Sequence, residues 1–182
     1  MEVKMKLYTY QAPYVKSATI KSIIYNSNGE EVGSIQRYYK SFLHSAFDMF
    51  GGNFVLLVSF KAYDSAGLKV INAIKKNHKI ARPDYYIEFL EGEFKGNSFH
   101  ARQENFDVIN PEFLIKGNGI EVYSKKSLLD WVRFYEDGKE VARWRSVIKE
   151  KFKTYIEIEE AASIQNPLFY AILGQMLYVV GD

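Results

Sequence analysis

The stretch from Pro167 to Val180 reads Pro-Leu-Phe-Tyr-Ala-Ile-Leu-Gly-Gln-Met-Leu-Tyr-Val-Val, and no other segment limits the chain as much. Asn166 before Pro167 is a favourable N-cap with proline at the first helical position, and Gly181 supplies a C-terminal stop. The expected helix is apolar on every side, with Gln175 and the hydroxyls of Tyr170 and Tyr178 as its polar tips. A helix without a polar face must be enclosed, by lipid or by protein. Ala161 to Gly181 carries no charge, and a charge-free stretch of about 20 residues can span a bilayer. Yet Ser163, Gln165, Asn166 and Pro167 interrupt its first third, and no basic cluster flanks its C-terminal side. What remains has the length of a buried core helix. Protein must enclose it.

The rest of the chain reads as β structure. Aromatic residues make up 16% of the 182, enough to favour pleated, half-buried surfaces before any pattern is read. A unit recurs in which an aromatic-ended strand meets a glycine turn and a second strand resumes at a β-branched residue. It appears as Tyr25-Asn-Ser-Asn-Gly29-Glu-Glu-Val32, as Tyr63-Asp-Ser-Ala-Gly67-Leu-Lys-Val70, and one residue shorter as Tyr135-Glu-Asp-Gly138-Lys-Glu-Val141. Asn28-Gly29 and Asp137-Gly138 are strong hairpin signals because both supply positive φ at little cost. Glu91-Gly92 and Gly117-Asn118-Gly119 punctuate the intervening strands in the same way.

Alternation places Tyr85, Ile87 and Phe89 on one face, and likewise Phe152, Thr154, Ile156 and Ile158. Phe54 to Phe60 is a continuous apolar run, expected of a strand covered on both sides. Leu7 to Tyr14, with Pro13, reads as an edge strand or an extended lead-in. Tyr38 to Met49 and Ser124 to Val132 read as helical in part. The reading is an antiparallel meander of about ten or more strands. A sheet of that size must curl or close to hide its edges, and the lumen it leaves is too wide for its own side chains. The C-terminal helix is the plug. Tyr170, Gly174 and Tyr178 share one helix face, so their hydroxyls are expected at a barrel mouth or on wall carbonyls. Gly174 is expected to admit a close strand backbone.

This pattern resembles the tubby C-terminal-like superfamily, which includes the LURP-one-related proteins and the phospholipid scramblases. The resemblance rests on the Tyr-x-x-x-Gly-x-x-Val hairpins at 25–32 and 63–70 and on the strand entry Arg82-Pro83-Asp84-Tyr85-Tyr86-Ile87. Asp137-Gly138-Lys139-Glu140-Val141 and the terminal helix complete it. It spans about residues 7 to 181, with the whole chain, 1–182, expected to be one such domain. It implies a closed antiparallel β-barrel of about twelve strands around a hydrophobic C-terminal helix. It also suggests phosphoinositide head groups as ligands. No ligand-binding motif of tubby can be matched residue by residue, so the resemblance assigns no site. Cysteines for palmitoylation, a proline-rich N-terminal extension and an EF-hand-like loop are absent, which argues against lipid scrambling.

Function is less legible. The absence of cysteine removes disulfides, thiolate nucleophiles and Cys-based metal sites, and the N-terminus has no signal-like apolar run. A cytoplasmic location is expected. Net charge is +2, too mild to imply nucleic acid, and no specific nucleic-acid partner is expected. His44, His78 and His100 form no metal-ligand pattern, and no glycine-rich phosphate loop, nucleophile motif or dinucleotide fingerprint occurs. No cofactor and no metal are expected. A non-enzymatic binding or scaffolding module is the best reading. An enzyme would need convergent groups at the barrel mouth, with Glu88, His100 and Tyr178 the most testable. A protein-interaction adaptor would expose aromatics such as Tyr38-Tyr39 or Trp131 and Trp144.

Two basic segments are the candidate anion- and lipid-binding residues: Lys75, Lys76, Lys79 and Arg82, and Arg143, Arg145, Lys149, Lys151 and Lys153. If they share one face they form a shallow surface for an anionic membrane or phospholipid head groups, each cation near a bilayer contributing about 1 kcal/mol. The competing reading is a lysine-rich solvent face that guards strand edges.

Overall fold

The computed structural model describes residues 4–14, 18–39, 59–76, 84–105, 107, 110–126 and 131–178. Twelve strands follow in order: β1 (Met5–Gln11), β2 (Ser22–Asn26), β3 (Glu31–Tyr38), β4 (Ser59–Asp64), β5 (Lys69–Lys76) and β6 (Asp84–Phe89). They continue as β7 (Ser98–Gln103), β8 (Glu112–Gly117), β9 (Ile120–Lys126), β10 (Val132–Glu136), β11 (Lys139–Val147) and β12 (Lys153–Glu159). Each strand pairs antiparallel with its sequence neighbours, and β1 with β12 closes the ring. The expected closed barrel of about twelve strands is therefore the fold.

The recurring hairpin unit has one structural cause. In β2–β3, Ile24 faces Gly33 while Tyr25 faces Glu31, so Val32 is an extra residue. In β4–β5 the extra residue is Val70, and in β10–β11 it is Val141. The valine that resumes each second strand is thus a β-bulge, which bends and twists the strand as closure requires. Val70 and Val141 are buried beside the next inward residue, Ile71 or Ala142. The residue after the tyrosine shapes two of the turns. Asn26 Oδ1 accepts from the Asn28 and Glu30 amides, and Asp64 Oδ1 accepts from the Leu68 amide.

Inward residues alternate along the strands as expected for Tyr85, Ile87 and Phe89, and for Thr154, Ile156 and Ile158. Phe152 precedes β12 instead of opening it. β1 is no edge, because it pairs with β12 along its whole length and with β2 at Tyr8 to Tyr10, while Pro13 lies beyond the strand. Of Ser124 to Val132, residues 124–126 finish β9 and Val132 opens β10, so strand pairing overrides the helical reading there. Positions 40–49 and 54–58 lie outside the described residues, as do Arg82, Pro83 and 127–130.

The helix fills the barrel. α1 (Pro167–Leu173) begins at Asn166, whose side chain accepts from the Leu168 amide at 2.9 Å, and every residue from Leu168 to Leu173 is buried. From Gly174 to Tyr178 the helix widens into a π turn, again fully buried. Phe169 packs on Phe89 and Phe99, with ring centroids 5.7 Å and 5.3 Å apart. Gly174 was expected to admit a strand backbone. The space is taken by a side chain instead: a Cβ there would collide with the Trp144 indole from β11. No helix among the described residues is long and apolar enough to cross a membrane.

Candidate anion-binding rim

In a meander every odd strand hands over to the next even strand at the same end of the barrel. The connections after β1, β3, β5, β7, β9 and β11 therefore gather at one end, the loop end. The connections after β2, β4, β6, β8 and β10, tight turns except for the eight residues 90–97, gather at the other, the hairpin end, where α1 also enters. Lys75 and Lys76 close β5, and Lys149, Lys151 and Lys153 lie in or beside the β11–β12 connection. Both basic segments open on the loop end.

They are not on adjacent strands. β5 and β11 stand six strands apart in a ring of twelve, which is diametrically opposite. With a strand spacing of about 4.8 Å and the usual tilt, that is roughly 20–25 Å across. This exceeds the Debye length of about 10 Å at 0.1 M salt, so the two segments act as separate sectors of one rim.

The individual cations differ in what holds them. Lys75 continues the inward face of Ile71 and Ala73, half-buried at the mouth, with its ammonium 5.7 Å from the Tyr85 ring centroid. Lys76 points outward over Tyr86 at 4.2 Å. Arg143 donates to Glu157 at 2.8 Å, and its charge is matched there. Its guanidinium and that of Arg145 each lie 4.8 Å from the Trp131 ring. Lys153 sits 5.4 Å from the Tyr155 ring. Lys149, Lys151 and Lys153 are exposed, and no ion pair among the described residues involves them. Glu150, the one acid in that connection, accepts from the Tyr155 hydroxyl. Lys79 and Arg82 fall outside the described residues.

The rim is not uniformly basic. Glu104 and Asp107 of the β7–β8 connection and Glu112 at the start of β8 lie between the two cationic sectors. Beneath the rim the wall closes on polar side chains. The Tyr10 hydroxyl accepts from Trp144 Nε1 and from Gln175 Nε2, both at 3.0 Å, and Tyr178 meets Ser124 at 2.6 Å. Burial pushes the Tyr10 hydroxyl up to about 12 and raises Tyr178 further. Both stay neutral and act as structural bonds.

The groups that would suit an enzyme are separated by the wall. Glu88 is exposed on the outside, and His100 faces outward, stacked on Tyr86 at 4.7 Å and 3.1 Å from Asp84. Tyr178 is inside. Among the described residues no cluster of three His, Asp or Glu side chains could hold a metal ion. The adaptor reading expected Trp144 to be exposed. It is buried, because its ring fills the space that Gly174 leaves. Trp131 is half-buried beneath two arginines.

The profile of the Tubby C-terminal like domain family matches residues 8–180, nearly the whole chain. The chain belongs to that family. No curated protein and no solved structure matches it. In this tubby-like barrel the functional reading therefore rests on the residues themselves.

Sequence reasoning missed two parts of the rim. Lys125 and Lys126 finish β9 at the loop end, Lys125 lying over Tyr135 at 5.3 Å. Strand parity was the signal that finds them. It also missed exposed apolar side chains there: Tyr14 is 62% exposed and Ile148 is 64% exposed.

Proposed function

We propose that this tubby-like barrel is a non-enzymatic binding module whose loop end takes up anionic phosphate-bearing groups, foremost those of lipid head groups. The whole chain, 1–182, acts as one unit, cytoplasmic and peripheral to a membrane. One observation supports this above the rest. Two cationic segments far apart in sequence open on the same end of the barrel, while at the hairpin end the lysines stand among Glu30, Glu31, Glu91, Glu93, Asp137 and Glu160, with Lys95 paired to Glu91 and Lys4 to Glu160. Aromatic seats under Lys76, Arg145 and Lys153 hold cations at a defined height without neutralising them, so they remain available to an anion.

Flotation with vesicles of increasing anionic-lipid content tests the reading. Wild type should float in proportion to anionic lipid, and binding should fall steeply with salt. Lys76→Glu/Lys151→Glu/Lys153→Glu should lose most of it. Inorganic phosphate at matched ionic strength separates a free-phosphate site from a surface, and duplex DNA separates nucleic acid from lipid. Equal flotation of variant and wild type, or none for either at low salt, leaves these residues an ordinary solvated surface.

A further inference from the structure

We propose that the corner where residues 12–14, just after β1, meet the β11–β12 connection inserts Ile148 and Tyr14 into the interfacial layer of an anionic bilayer. This rests on the lipid-binding reading above and specifies how the barrel docks. Ile148 opens a 3₁₀ turn, Ile148–Glu150, that buries none of its residues. The turn is held by two successive non-glycine residues in the left-handed region, Lys151 with φ 55° and Phe152 with φ 63°. Such a conformation is costly, above all for a bulky residue, and persists where surrounding contacts impose it.

Those contacts are present. The Lys151 amide donates to the Ile148 carbonyl at 2.9 Å and the Phe152 amide to the Val147 carbonyl at 3.0 Å. The Ala12 amide donates to the Phe152 carbonyl at 3.1 Å, and Gln11 Nε2 donates to the Lys151 carbonyl. Tyr14 meets the Phe152 ring edge-on, with centroids 5.6 Å apart. Residues 12–14 and the turn 148–152 are thus held together, and Tyr14 and Ile148 stand exposed on them.

The surroundings identify the occupant. Lys149, Lys151 and Lys153 surround the tip, Arg145 stands on the strand beneath, and the local acid Glu150 is engaged by Tyr155. An exposed apolar side chain flanked by lysines with no ion pair among the described residues matches the layered chemistry of an anionic bilayer, where phosphates lie above acyl chains. Tyrosine, apolar in body and polar at its tip, suits the same depth.

The chain has no cysteine, so Ile148→Cys carries a single environment-sensitive label on an exposed position. On anionic vesicles the label should shift to the blue and be quenched by lipids bearing quenchers in their acyl chains. Ile148→Ser/Tyr14→Ser should lower vesicle partitioning roughly tenfold with its salt dependence intact. Its urea unfolding should match wild type. If the label stays unshifted and the double serine variant partitions like wild type while the lysine variants lose binding, insertion is wrong and surface docking stands. If wild type binds no anionic vesicle at low salt, both readings fall. An equal label response to duplex DNA would assign the corner to nucleic acid and overturn insertion.

Discussion

The two ends of the barrel are closed by different means. At the hairpin end four connections turn back within a few residues, at 27–30, 65–68, 118–119 and 137–138, with Asn26 and Asp64 shaping two of them, and the fifth, 90–97, is an eight-residue loop. At the loop end the connections range from five residues, 148–152, to twenty, 39–58, and side chains reach across beneath them: Tyr10 with Trp144 and Gln175, and Ser124 with Tyr178. Side chains seal the first end as well, since Phe94, Ala162 and Ile164 are buried there and the Ser163 hydroxyl donates to Glu136, while its surface carries both acids and lysines. The second presents cations on aromatic seats and an apolar tip. A rigid sheet that positions variable connections is the usual division of labour between scaffold and site.

The strongest way to break this comparison is through the element both ends share. Gly174→Leu should abolish cooperative folding, because its side chain and the Trp144 indole need the same space. Gly174→Ala should cost about 1–3 kcal/mol by overpacking, less up to about 1 kcal/mol regained in helix propensity. Pairing it with Trp144→Leu should recover part of that loss, a coupling that a double-mutant cycle in urea detects. Additive effects would place the indole elsewhere.

At the loop end alone, Tyr10→Phe strands two buried donors and should cost about 1–3 kcal/mol. An unfolding midpoint equal to wild type would contradict the side-chain closure. The same end predicts a pH response. Burial raises Tyr10, and likewise Tyr85, to about 12, above the unfolded value of 10.0. Folding therefore favours their neutral forms. That contribution is intact below pH 10 and is lost as pH rises from 10 through about 12. Unfolding titrations across that range should show stability falling in wild type and falling less in Tyr10→Phe.

The smallest effect is expected at Tyr170. Its hydroxyl is buried with no hydrogen-bond partner among the described residues, and its ring packs on Phe134 and Phe169. Tyr170→Phe should change stability by no more than about 0.5 kcal/mol, with a rise the expected sign. A clear loss would show that a bound water or a further group serves that hydroxyl.

Most of the wall was legible because its signals are local. Asn28-Gly29, Gly67 and Asp137-Gly138 mark real turns, and Asn166-Pro167 marks the first turn of α1. The bulges were half-visible: Val32, Val70 and Val141 recur at a fixed place, but only the register shows each as an extra residue. The rim was harder to read, since which ends meet depends on strand parity and which sides meet depends on the strand count. Lys76 and Lys151 share an end for the first reason and stand apart for the second. The partner of Gly174 was not legible at all, because a gap in a helix surface does not say whether backbone or an indole fills it.

On the proposed function, the placement of cations along the barrel axis, not net charge, governs binding to anionic vesicles. Lys149→Glu/Lys151→Glu/Lys153→Glu at the loop end and Lys69→Glu/Lys95→Glu/Lys139→Glu at the hairpin end carry the same net charge. Each replaces three exposed lysines. Partitioning onto anionic vesicles at about 0.1 M salt, within one Debye length of about 10 Å, compares them directly. Loss of binding in the loop-end variant with near wild-type binding in the hairpin-end variant is the predicted result. Equal loss in both would contradict it.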